Sequence, residues 1–216
     1  RAEEAVSYLG METVKSLVLS AKIFSQFDQR RMVFFPLDEL WDHSLQAGMC
    51  ARAVAAAHAK GILHRDLKPQ NILVERVSDR PLVADFGLAK LQDSSDELTH
   101  SGDVMGSPPY MSPEQAKDSS RVSFQSDVYS LGATLYHVVT GKRPFRGDTP
   151  LSTLSAILKD TPPPPDEVRS GLPRAFGRIL DRCLAKNPGD RFRNAVELRH
   201  ELARLQDAAP RASTHK

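Results

Sequence analysis

The stretch "HRDLKPQNILVERVSDRPLVADFG", residues 64–87, limits the possible folds more than any other part of this chain. From Asn71 onward it reads as two short strands around a Ser78-Asp79-Arg80-Pro81 turn. A hairpin of that kind sets Asn71, just before the first strand, and Asp85, just after the second, facing one space. Upstream, Ala53, Val54 and Ala57 continue an apolar helical stripe that ends at Gly61. The chain therefore passes from a helix into a polar, charged loop and then into a hairpin.

Composition narrows the function classes. A chain of 216 residues suits one ordinary domain or two small ones. Its 40% hydrophobic and 26% charged residues are those of a soluble globular protein. A net charge of +2 gives no global pull toward nucleic acid or an anionic membrane, so no nucleic-acid partner is expected. No apolar run approaches the ~18 residues of a membrane span, and no secretory signal is visible. Cys50 and Cys183 stand alone without CxxC spacing. They read as free thiols of a reduced, cytoplasmic protein, with a disulfide between them as the alternative.

The first third reads as helices. Ala2 to Leu9 is a short helix stopped by Gly10. Val14, Leu17, Val18, Ala21 and Phe24 fall on one face of a second. "RRMVFFP" breaks the pattern, and Pro36 is suited to the first turn of a third helix. Leu37, Leu40, Trp41, Leu45 and Met49 keep its apolar stripe, so one helix from Leu37 to Lys60 is expected. Only Gly10 and Gly48 occur before residue 60, so this part contains no G-x-G-x-x-G loop. Lys15 and Lys22 lie in helical patterns and read as solvated helix-face residues.

From "AVAAAHAKGILHRDLKPQNILV" to about residue 206 the chain resembles bacterial serine/threonine protein kinases, with "HRDLKPQN", "DFG" and "GSPPYMSPE" in the family's order. The resemblance implies that Asp66 accepts or orients the proton of a substrate hydroxyl and that Lys68 contacts the transferring phosphate. Asn71 and Asp85 match Mg2+ ligands, oxygen donors of the kind a hard cation prefers. Leu73 matches the apolar floor beneath the adenine of ATP. Arg65 matches the arginine that pairs with a phosphorylated activation segment. Ser94, Ser95, Thr99 and Ser101 are the candidate acceptors in that segment, and Ser107 stands where a threonine is common. Asp127 matches the helix aspartate that holds the catalytic loop, and Arg191 the arginine that pairs with Glu114. Leu131, Leu135 and Val138 form the buried stripe of the Asp127 helix. The prolines at 162–165 read as a rigid loop between two late helices rather than a polyproline ligand, and a last helix is expected from Ala195 to Leu205.

Residues 2–56 resemble part of an HD-related output domain, an all-helical signalling module, on "YLGMETVKSLVL" and "LWDHS". Ser44 follows His43 where the hydrolases of that superfamily carry an Asp, so no metal site is expected there. The expected fold is mainly α with a small β-hairpin: a helical domain like a kinase C-lobe, without the usual N-lobe, behind an all-helical segment. The expected division is 1–50 for that segment, 51–206 for the C-lobe and 207–216 for a disordered tail. A start at Arg1 rather than Met suggests a fragment. The expected activity is Mg2+-dependent transfer of the ATP γ-phosphoryl group to protein Ser/Thr hydroxyls, slow in this chain alone without the Gly-rich loop and strand lysine. The alternative is a non-catalytic signalling module with a partner on its N-terminal segment.

Overall fold

A computed structural model describes residues 32–34, 43–75, 80–86 and 108–208. In chain order the elements are strand β1 (Met32–Phe34), helix α1 (His43–His58), strands β2 (Ile72–Glu75) and β3 (Arg80–Val83), and helices α2 (Pro113–Lys117), α3 (Phe124–Thr140), α4 (Pro150–Lys159), α5 (Pro165–Val168), α6 (Arg174–Cys183) and α7 (Ala195–Ala208). The described part is thus mainly helical with one small antiparallel sheet.

Small side chains decide how α1 packs. Ala47, Cys50, Ala51, Val54, Ala55 and Ala57 recur at three- and four-residue spacing and are all buried. They let α1 lie closely along α7, which contributes Ala195, Leu198 and Leu202 to the same core, and against β3 and α3. The helix ends as its glycine predicts. Gly61 takes φ 74°, its N–H donates to the His58 carbonyl, and the Ile62 N–H donates to the Ala57 carbonyl. This is a Schellman closure, and it aims the chain into the 64–71 loop.

The sheet has the order β1-β2-β3, antiparallel throughout. Leu73 on central β2 stands opposite Phe34 on one side and Leu82 on the other. β2 and β3 form the expected hairpin, and β1 adds a third strand to it, which corrects the expectation of an all-helical first third. A run as short as "MVFF" cannot be assigned to strand or helix by periodicity, and here the free edge of β2 takes it up. The helices expected over 2–9 and 14–24, and the 37–42 start of the third, lie outside the described residues. β3 begins at Arg80, so Arg80 and Pro81 belong to a strand and not to the turn. Among the described strands β3 is an outer one, where the missing N–H of Pro81 need not cost a ladder bond.

Helix α3 is the hub. Leu131, Leu135 and Val138 are buried as expected, and so are its Asp127, Tyr129 and Tyr136. Gly132 is required by packing: a Cβ there would lie 2.4 Å from Cys183 Cβ, so only a bare backbone lets α6 cross α3 at this point. Gly141, at φ 70°, closes the helix in the left-handed conformation. Pro162 to Pro164 lie between α4 and α5, where the Tyr136 hydroxyl donates to the Pro163 carbonyl over 2.8 Å, and Pro165 opens α5. α7 runs to Ala208, two residues into the stretch expected to be a disordered tail.

Candidate functional site

One buried carboxylate organises the 64–71 loop. Asp127, in the first turn of α3, is 1% exposed. Its Oδ2 accepts from the His64 N–H at 2.7 Å and from His58 Nε2–H at 2.9 Å, and its Oδ1 accepts from the Arg65 N–H at 2.8 Å. His58 Nδ1 in turn accepts from the Ala195 N–H, which fixes the tautomer and ties α1, α3 and α7 together at this point. The Arg65 backbone is held from its other side as well. Gln115 Nε2 donates to the Arg65 carbonyl at 2.9 Å, while Gln115 Oε1 and Ser112 Oγ form the capping box that starts α2. Between these two anchors Arg65 takes φ 68°, a left-handed conformation costing on the order of 1–3 kcal/mol in a residue with a long side chain. That strain persists because α2 and α3 both grip the peptide.

Downstream of this clamp the reactive side chains converge. Lys68 Nζ lies 2.7 Å from Asp66 Oδ2, and both side chains are half-buried. Asn71 Nδ2 donates to the Asp66 carbonyl at 2.8 Å and to Asp66 Oδ2 at 3.4 Å. With its amide nitrogen committed, Asn71 has its amide oxygen left as the donor for a cation. The Asn71 carbonyl accepts from the Ala84 N–H, which brings the end of β3 alongside. Asp85 follows, exposed and left-handed at φ 57°. An open cleft of about 520 Å³ is lined by Lys68, Gln70, Asn71, Asp85, Pro109, Tyr110 and Arg143. The volume is in the range of small-molecule sites.

His64 stitches the two segments together. Its Nε2–H donates to the Ala84 carbonyl at 2.9 Å, and its Nδ1 accepts from the Asp66 N–H at 3.3 Å. Phe86 stacks against it, tilted, with 4.6 Å between ring centroids. Donating from one nitrogen and accepting at the other requires a neutral ring. Burial supplies this by pushing the His64 pKa below its ordinary 6.5, against the pull of Asp127, Asp66 and Asp85.

The outer support is the Glu114–Arg191 pair. Arg191 is 2% exposed, and each of its five N–H donors has an acceptor: both Glu114 oxygens and the carbonyls of Gln125, Ala185 and Lys186. Burial alone would raise the Glu114 pKa. Hydrogen bonds from Arg191 and Ser126, with the Arg191 charge, outweigh it and hold the carboxyl below its ordinary range.

Asp66, Lys68, Asn71 and Asp85 therefore share one neighbourhood. Leu73 is half-buried on β2 and is not among the residues lining the cleft. The segment carrying Ser94, Ser95, Thr99, Ser101 and Ser107 lies outside the described residues. Sequence patterning singles out neither His64 as a bridge nor Gln115 as a clamp, because each acts through backbone groups that carry no side-chain signature. Tyr110, His137 and Arg143, which meet at the cleft's rim, are separated in sequence and form no motif.

Comparison with known proteins bears on this arrangement. A family model for the protein kinase domain matches residues 6–202. It takes in most of the stretch that resembles an HD-related output domain. Serine/threonine-protein kinase pkn3 of Myxococcus xanthus is 41% identical over 177 residues, covering 76% of this chain and 32% of its own length. PknB of Mycobacterium tuberculosis is 40% identical over 160 residues, covering 74% and 25%. A probable serine/threonine-protein kinase of Clostridium acetobutylicum is 36% identical over 206 residues, covering 95% and 30%. The chain thus spans about a quarter to a third of the length of these curated relatives. With a kinase-domain match over most of its length, the chain belongs to the protein kinase family.

Proposed function

We propose that this chain carries the catalytic lobe of a serine/threonine protein kinase, which transfers the γ-phosphoryl group of ATP to a Ser or Thr hydroxyl of a protein. The observation that carries the reading is the Asp66–Lys68–Asn71 cluster, suspended from Asp127 and opening on a cleft with Asp85. In this reading Asp66 takes the proton of the substrate hydroxyl as its oxygen bonds the γ-phosphorus. The bond from that phosphorus to the β–γ bridging oxygen breaks, and ADP leaves. Lys68, 2.7 Å from Asp66, keeps the carboxylate oriented and places a positive charge where the phosphoryl group passes. Asp85 and the amide oxygen of Asn71 fit a Mg2+ ion, which is commonly held by one or two protein oxygens with phosphates and water completing its shell. When bound, that ion neutralises charge on the triphosphate. Leu73 on β2 would meet the adenine, and Arg65 would pair with a phosphate on the 87–107 segment. Residues 51–206 form the lobe in this reading. Pairing of β1 with β2, and the family match from residue 6, favour placing the residues before 51 in the kinase domain too, rather than in an HD-related module.

The test is phosphoryl transfer from labelled ATP to a Ser/Thr peptide mixture by the full-length protein, paired with melting in Mg·ATP. Asp66→Asn should retain the Mg·ATP shift and lose roughly 10²–10⁴-fold in rate. Rates unchanged in Asp66→Asn would sink the assignment. A folded protein with no shift at millimolar Mg·ATP would favour the non-catalytic alternative.

A further inference from the structure

At the rim of the cleft stands a cation that the phosphoryl-transfer reading leaves unused. Arg143 is exposed, yet its backbone is fixed on both sides. Before it, Gly141 closes α3, and Thr140 Oγ1 accepts from the Lys142 N–H while donating back to the Tyr136 carbonyl at 2.7 Å. After it, Pro144 and Phe145 are buried, with Lys186 Nζ 3.9 Å above the Phe145 ring. The side chain lines the cleft beside Tyr110. The Tyr110 hydroxyl and His137 Nδ1 share a hydrogen bond of 2.6 Å, and the two rings stack with 5.9 Å between centroids. Burial and the Arg143 charge lower the His137 pKa from its ordinary 6.5. The cluster therefore presents one positive charge, and among the described residues no carboxylate lies within ion-pair distance of it. Tyr110 also lines a narrow crevice with Arg65, Asp66 and Gln115, so one side chain connects the Asp66 neighbourhood to Arg143.

We infer that Arg143, at the cleft rim beside Tyr110, is a specificity-determining residue that selects protein substrates bearing an anionic side chain close to the acceptor hydroxyl. A guanidinium fork offers two parallel N–H donors to a carboxylate or a phosphate, and its rigid base makes that contact directional. Tyr110 borders both the crevice at Asp66 and the cleft at Arg143, so a peptide whose hydroxyl sits at Asp66 would run past Tyr110 toward the fork. A basic neighbour at that place meets like charge. This rests on the kinase reading, and it adds what the substrate must look like.

The experiment uses the full-length protein and four Ser peptides that differ only in flanking residues: Asp, phosphoserine, Ala or Arg. The expected order in kcat/KM places both anionic peptides above Ala and Ala above Arg, with a spread of roughly five- to tenfold between Asp and Arg, carried mostly in KM. The Asp and phosphoserine arms separate carboxylate from phosphate selection. Arg143→Glu should invert the order, and Arg143→Lys should keep part of it. An unchanged ranking in Arg143→Glu overturns the inference while leaving the kinase reading intact. So does a rise in the KM for ATP with the peptide ranking preserved, since Arg143 would then serve the nucleotide. If no peptide turns over, binding of the same peptides by fluorescence anisotropy decides: an Asp over Arg preference lost in Arg143→Glu supports the inference, and equal affinities refute it.

Discussion

His64 shows how one neutral ring can hold a site together. It is fully buried, donates to Ala84 and accepts from Asp66, and so links the loop that carries the proposed base to the segment that carries Asp85. A second proton would put an N–H against an N–H at the Asp66 contact. Because the folded-state pKa lies below the ordinary 6.5, the folded and unfolded chains bind the same number of protons at this ring above that pH. Below about 6.5 the unfolded chain takes up a proton that the folded chain refuses, so stability falls with pH until the folded value is reached. Urea unfolding between pH 7.5 and 5.5 should show this decline, and His64→Gln should unfold at lower urea with a flatter pH dependence. An equal slope in the variant would assign the pH dependence to other groups. The same contacts explain why this residue is silent in the sequence. A histidine before Arg65 and Asp66 looks like one more polar side chain, and its partners are a main-chain carbonyl and a main-chain N–H.

Elements differ in how much of their placement the chain announces. The stripe of α3 is legible because Leu131, Leu135 and Val138 repeat at helical spacing, and the hairpin because two apolar runs flank a turn. β1 is not legible: three residues carry no period, and only the edge of β2 selects the extended form. The rim formed by Tyr110, His137 and Arg143 is hidden for another reason, since it exists only after the 108–110 turn and the end of α3 have met. The Glu114–Arg191 pair joins α2 to the turn before α7, and its energetics follow from burial. Arg191→Met would fill much of the volume but leave the Glu114 carboxylate without its counter-charge, with only the Ser126 hydroxyl still donating to it, and take the guanidinium donors from three carbonyls. The expected loss is roughly 3–5 kcal/mol in chemical denaturation, the range for a buried pair broken on one side. Restoring charge with Arg191→Lys should recover only part of it, because three donors cannot serve five acceptors. Full recovery by lysine would mean that charge alone, and not the guanidinium fork, holds α2 in place.

At the scale of the molecule the question is whether the described helices unfold as one body. The chain supplies two natural reporters on different helices. Cys50 sits on α1 and Cys183 at the end of α6, both wholly buried in one core. Burial pushes the Cys50 thiol up to about 12 and shifts Cys183 in the same direction, so neither offers a reactive thiolate at neutral pH. The α1 helix runs unbroken through the division expected at residues 50 and 51, and it packs on α7, β3 and α3. A core shared in this way should open cooperatively. At pH 8, a thiol reagent should then label neither cysteine in the native protein. In increasing urea both sites should label at rates that rise together with the slope of global unfolding, because exposure of either thiol requires exposure of both. Cys50→Ser and Cys183→Ser variants make each rate separately readable. Faster labelling of Cys50, with a shallower urea dependence, would instead mark α1 as an independently opening unit and place a physical boundary between it and the helices that carry Asp127.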